Sequence, residues 1–222
     1  MNIFLSIIDC LKIFFQALRF GVLNILFENS NSNLIRALGF LNPFFIVNHK
    51  VPQGLRIKNF LESLGPMFIK FGQLLSTRTD VVPLEITSYL RGLTDQCQSF
   101  PTHKAKQIIE DSLKIKIEDV FEGFEEQPLA AASLAQVHRA RIKNTSEKVV
   151  VKVLRPGIHK KVRRNVRVMR AGGFLLKIFY KESERLRLKD VIDDYERTIF
   201  KELDLKVEAA NTTVTKKNFD NS

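Results

Sequence analysis

A lysine stands inside an apolar strand in the run Val149-Val-Val-Lys152-Val-Leu154. Side chains alternate faces along a strand, so Lys152 shares its face with Val150 and Leu154. Such a lysine must reach water, a carboxylate or a bound anion, because an unpaired buried charge is expensive. Just upstream lies a run of small residues, Pro128-Leu-Ala-Ala-Ala-Ser133-Leu-Ala-Gln-Val-His138. A loop of small residues between two strands lets backbone N–H groups come close to a phosphate. Carboxylates follow downstream at Glu202, Asp204 and Glu208. Asp204 and Glu208 fall one helical turn apart, and Glu202 precedes Lys206 in the favourable acid-before-base order. A second polar set, Lys70, Gln73 and Thr77, shares one face of the segment 67–77. Gly72 sits inside that segment at a cost of about 1 kcal/mol relative to alanine, which a close backbone approach would justify. From periodicity alone, this set is a polar stripe on an amphipathic helix.

The elements that hold these residues follow from pattern. Two β-rich runs flank the polar turn Asn144–Glu147, which is the signature of a hairpin. Asn2–Phe27 is strongly apolar with a narrow polar stripe and reads as one helix. Asp9, Lys12 and Arg19 argue against a clean membrane span. The segment has no basic start or small-residue cleavage site of a secretory signal. It either lies on a membrane surface or packs against the rest of the protein. Asn29–Asn33 reads as a loop, followed by a short apolar segment to Val47. Helices are expected over Leu55–Leu64, over Met67 to Thr77 behind Pro66 at a first helical position, from Pro83 to Leu93, and from Thr102 to Leu113 with Thr102 as N-cap. Ile117–Phe121 is a short helix or turn. A long basic helix spans Ile158–Tyr180, with Gly172-Gly173 a weak point, and Leu188–Lys217 is a further helical region. The last residues from Lys216 are expected to fray.

The chain has 222 residues, enough for one good core or two small ones. A net charge of +11 favours an anionic partner: nucleotide, nucleic acid or anionic lipid. Cys10 and Cys97 lack ligand-like spacing, so neither a structural disulfide nor a metal site is expected. The basic run His159–Arg170 could meet nucleic acid or lipid. A solvated helix face is the plainer reading, and nucleic acid is not expected as a partner.

The small-residue loop, the hairpin and Lys152 resemble the first part of a protein-kinase N-lobe, with alanines where kinases carry glycines. Lys70-Phe-Gly72-Gln73 matches the Lys-x-Gly-Gln signature of the UbiB family, atypical kinase-like proteins linked to ubiquinone biosynthesis. Leu64-Gly-Pro and the run Lys70–Asp80 are similar to that family's signature helix, and Pro128–His138 to its alanine-rich loop. Val149–Pro156 resembles the strand of its phosphate-binding lysine. Glu202-Leu-Asp204 and Glu208-Ala-Ala-Asn211 resemble its Glu-x-Asp motif and the segment after it. The order agrees from about Leu55 to Phe219.

The resemblance implies an α+β fold that is mostly α-helical. Residues 1–28 would be an amphipathic helix, 29–125 a helical extension with the Lys-x-Gly-Gln motif, and 126–222 an incomplete kinase-like N-lobe. It implies ATP with Mg as cofactor. Leu129, Ala130, Ala131, Ala132, Ser133, Leu134, Ala135, Gln136 and Val137 would form the loop over ATP. Lys152 would contact the phosphates and pair with Glu208. Lys70, Gly72 and Gln73 would act with Glu202 and Asp204 as a regulatory motif, Lys70 pairing with one of those two acids. The family's C-lobe carries the catalytic-loop Asp and Asn and the metal-binding Asp. No counterpart stands in this sequence, so no catalytic residue and no metal ligand is assigned. The chain is accordingly expected to be a truncated or split product, inactive alone. Its implied partners are membrane lipid, a second polypeptide supplying the C-lobe, and ubiquinone-biosynthesis proteins. The implied location is the cytoplasmic side of a membrane, the inner one if bacterial. A non-catalytic remnant or membrane-associated interaction module is the competing reading.

Overall fold

The computed structural model describes residues 3–28, 39, 42–44, 48–95, 97–179, 184 and 186–219. In chain order the elements are α1 (Ile3–Arg19), α2 (Val22–Glu28), α3 (Gln53–Leu64), α4 (Pro66–Ser76), α5 (Leu84–Leu90), α6 (Thr102–Leu113), α7 (Ile117–Val120), β1 (Phe121–Glu122), β2 (Ala130–Ala131), β3 (Ala135–Ile142), β4 (Lys148–Leu154), α8 (Ile158–Phe179), α9 (Leu188–Glu202) and α10 (Leu205–Phe219). The expected α+β architecture, mostly helical with a small kinase-like sheet, is what the chain adopts. The chain forms two compact units. One comprises the residues up to Thr94 and those from Val162 onward; the other is Asp95–Lys161.

In the first unit, α3, α4 and α5 pack on one another, and α1 and α2 pack on α3. Leu61, Met67, Phe68, Phe71, Leu90 and Leu93 are buried there. Val162, Val166 and Met169 of α8 and Val191, Tyr195 and Ile199 of α9 are buried as well. The single helix expected over Asn2–Phe27 is two helices, bent by 75°. Gly21 makes the corner at φ +66, and a Cβ there would lie 2.7 Å from Asn48 Cβ. The last carbonyls of α1 lack helical partners. Asn42 Nδ2 donates to Leu18 O at 3.0 Å and Asn48 Nδ2 to Arg19 O at 3.1 Å.

The helical region expected over Leu188–Lys217 is present and consists of two helices. α9 ends at Glu202 with Leu203 as its C-cap, and the Asp204 carboxylate accepts from Lys206 N (3.0 Å) and Val207 N (3.3 Å), as an N-cap does for the next helix. Gly172-Gly173 causes no break in α8. The helix after Pro83 stops at Leu90.

The second unit is built on β3. It pairs antiparallel with β4 along its length, and with β2 and β1 at its two ends. Lys143–Glu147 closes the expected hairpin, with Ser146 at φ +53. One sheet face carries Gln136, His138, Ala140, Val151 and Val153. Ala105 and Ile109 of α6 and Ile117 of α7 form a buried cluster with Val153. The other face carries Val137, Arg139, Arg141, Lys148, Val150 and Lys152, and all its cations are exposed. Thr102 does not cap α6: Pro101 holds the N-cap position, and Thr102 Oγ1 donates to Glu126 O at 2.6 Å. The expected loop 29–33, most of the segment up to Val47, and residues 220–222 lie outside the described residues.

Candidate functional site

In the second unit, Lys152 stands directly opposite Val137 in the β3–β4 register. Cross-strand partners project to the same face. The lysine and the last residue of the alanine-rich loop therefore share the exposed basic face. Lys152 is exposed on this face. The loop itself is graded. Leu129, Ala130 and Ala132 are exposed, Ala131 is half-buried, and Ser133, Leu134, Ala135 and Gln136 are buried.

Its inner residues are held by side chains. Ser133 Oγ donates to Asp95 Oδ2 at 2.9 Å. The Gln136 amide is fully buried; Oε1 accepts from Phe100 N at 3.0 Å and Nε2 donates to Phe100 O at 3.3 Å. That orientation turns the amide N–H toward His138 Nε2, 2.8 Å away. His138 Nε2 is then the acceptor, and Nδ1–H donates to Glu125 O at 2.9 Å. The Gln136 side chain thus serves the interior of the unit. Cys97 is half-buried, and desolvation, then the charge of Asp95, pushes its thiol above the ordinary value.

In the first unit, each part of the Lys-x-Gly-Gln motif has a contact. Lys70 Nζ lies 3.1 Å from Glu202 Oε2. Both ends are partly solvated, so the pair contributes roughly 0.2–1 kcal/mol. A Cβ on Gly72 would meet Leu93 Cδ1 at 2.4 Å and Leu61 Cδ1 at 2.8 Å. Gln73 Nε2 donates to Leu93 O at 3.0 Å. Between Glu202 and Asp204, the structure selects Glu202 for Lys70 and uses Asp204 as the α10 cap. Glu208 lies exposed in the first turn of α10. Farther along, Arg78 bonds Asp80 at 2.8 Å and lies 3.7 Å from Asp194. The Arg78 hydrogen bond holds the Asp80 carboxyl below the usual aspartate range.

No motif points to Tyr195, whose hydroxyl donates to Met67 O at 2.6 Å and whose ring meets Phe71 edge-on at 5.3 Å. Its signal in the sequence is a lone aromatic with a hydroxyl on the apolar face of α9. Arg155 is equally unmarked, except as the cation that ends β4 before Pro156-Gly157.

Among the described residues no group of three or more His, Cys, Asp or Glu could hold a metal ion. Glu202 is engaged by Lys70 and Asp204 by the α10 N-terminus. What the second unit offers chemically is a cationic sheet face beside a pinned loop of small residues.

Residues 92–222 match the family model described as the ABC1 atypical kinase-like domain. The chain is 45% identical over 173 residues to "Probable protein kinase UbiB" of Marinobacter nauticus, covering 78% of this chain and 31% of that protein. Against the protein of the same name from Azotobacter vinelandii the identity is 42% over 191 residues, 85% of this chain and 35% of that one. Against that of Aeromonas hydrophila it is 39% over 213 residues, 91% and 39%. The chain therefore spans about a third of the length of these relatives.

Proposed function

The chain belongs to the ABC1 atypical kinase-like family, and on that premise we propose that its alanine-rich loop and Lys152 form the phosphate-contacting half of an ATP site. The observation that carries this reading is the register that sets Lys152 across from Val137 on an exposed face with Arg139, Arg141 and Lys148. Cations gathered on one face raise its positive potential even with Arg139 3.8 Å from Glu125 Oε2, and a polyphosphate answers that field. The proposed role is phosphate contact alone. Phosphoryl transfer is proposed for the full length that the UbiB relatives span, with a further polypeptide segment supplying the catalytic loop. The Lys70–Gln73 signature suggests the setting, lipid-associated support of ubiquinone synthesis.

A membrane surface is the proposed location, on the cytoplasmic side. Helix α1 exposes Leu11, Phe14 and Phe15 together with Lys12 and Arg19, which suits an anionic lipid interface. Among the described residues no single helix is long and apolar enough to cross a membrane; one bent pair, Cys10–Arg19 with Val22–Glu28, is so only when taken together.

The phosphate reading is tested by titrating the protein and its Lys152→Ala variant with a fluorescent ATP analogue. Loss of a charge-assisted phosphate contact should raise Kd about tenfold or more. Equal affinity in the two proteins would contradict the assignment.

A further inference from the structure

One short segment of the second unit holds the alanine-rich loop at several points. Cys97 N–H donates to Ala131 O at 3.3 Å, and Asp95 accepts from Ser133 Oγ at 2.9 Å. Phe100 exchanges two hydrogen bonds with the Gln136 amide. Arg155 closes the arrangement. Its Nε donates to Ala132 O at 2.8 Å and its Nη2 to Gln98 O at 2.7 Å, so one guanidinium spans loop and segment. The Arg155 backbone N–H donates to Leu134 O at 2.8 Å, and the guanidinium carbon lies 5.8 Å from the centre of the Phe100 ring.

We propose that Asp95 and the residues Cys97–Phe100 act as a strap, locked by Arg155, which fixes the alanine-rich loop in one conformation and thereby sets its affinity for a nucleotide phosphate. Two consequences of the contacts support this. The carbonyls of Ala131, Ala132, Leu134 and Ala135 all accept hydrogen bonds within the unit, the last from Ala132 N–H at 2.9 Å. Carbonyl oxygens repel an approaching anion; here each accepts a hydrogen bond that offsets part of its negative charge, and Arg155 adds a positive charge beside them. A loop already ordered also gives up less conformational freedom when it binds. The far end of the loop is tied down by fully buried Gln136 and His138, the latter bonded to the backbone carbonyl of Glu125 and its ring stacked on Phe124 at 4.8 Å. Arg155 and Asp95 are therefore positioning residues that act through the loop.

The effect on affinity rests on the phosphate-contact reading; the strap itself does not. Two variants of the full chain separate them. Arg155→Lys keeps the charge but loses the two-pronged span, and Ser133→Ala removes only the Asp95 bond. Hydrogen exchange followed by mass spectrometry reports on the peptide 129–137 without ligand, and titration with the fluorescent ATP analogue reports on affinity. The strap predicts exchange about tenfold faster in Arg155→Lys, with a smaller rise in Ser133→Ala, while amides of α9 stay protected. It also predicts weaker binding of the analogue by about fivefold in Arg155→Lys. Unchanged exchange in both variants overturns the strap. Faster exchange with unchanged affinity overturns its role in binding. A wild-type protein that ignores the analogue removes the phosphate reading, and the exchange result alone then decides whether the strap exists.

Discussion

Adding one methyl group at Gly72 forces a choice between helix propensity and packing. Alanine would gain about 1 kcal/mol of helix propensity. The new Cβ would collide with the buried side chains of Leu93 and Leu61, and overpacking of this kind costs about 1–3 kcal/mol. Gly72→Ala should therefore lower Tm by a few degrees in a thermal melt, and an unchanged or raised Tm would remove the packing explanation. The thiols make a second contrast. Cys10 is exposed, whereas burial and Asp95 keep Cys97 protonated. Maleimide near neutral pH should modify Cys10 first, with Cys97 catching up only as the solution becomes alkaline; equal rates would contradict the described burial. Asp80 supplies the acid-side test. Its folded-state pKa is lowered by Arg78, so the contribution of that pair is present above the unfolded value and fades as pH falls through the folded one. An NMR titration should place the Asp80 midpoint below the ordinary aspartate range, and Arg78→Met should return it there.

The hairpin was legible element by element, because alternation and the polar turn at Asn144–Glu147 specify it locally. Helix α4 was legible for the same reason, with Pro66 at its first position. The breaks were harder to read. The bend at Gly21 depends on Asn42 and Asn48, which approach from distant sequence to bond the last carbonyls of α1. The division between α9 and α10 turns on Asp204 acting as a cap. Once that break is known, Glu202 and Asp204 no longer compete for Lys70. The grip of α9 on α4 through Tyr195 is likewise a tertiary fact with no local pattern. It makes a prediction for the element pair. Tyr195→Phe keeps the edge-on ring contact with Phe71 and loses the hydrogen bond to Met67 O, so it should cost about 1 kcal/mol by denaturant unfolding. A variant as stable as the parent would place the attachment of α4 elsewhere.

For the whole molecule, the motif order read from the sequence carried the family assignment, and the two units could not be read that way. One unit takes its helices from both sides of Asp95–Lys161, a discontinuity that linear composition does not reveal. The proposed location belongs to this scale too. Phe14→Ser with Phe15→Ser should release the protein from vesicles containing anionic phosphatidylglycerol, and retained binding would move the membrane contact off α1. The central claim is that the face bearing Lys152 receives nucleotide phosphate, and an ATP acyl-phosphate probe that acylates lysines beside a bound nucleotide tests it most directly. Mapped by mass spectrometry, labelling should fall mainly on Lys152 and disappear with excess ATP. Labelling spread evenly over Lys148, Lys152 and Lys160, or unaffected by ATP, would contradict it.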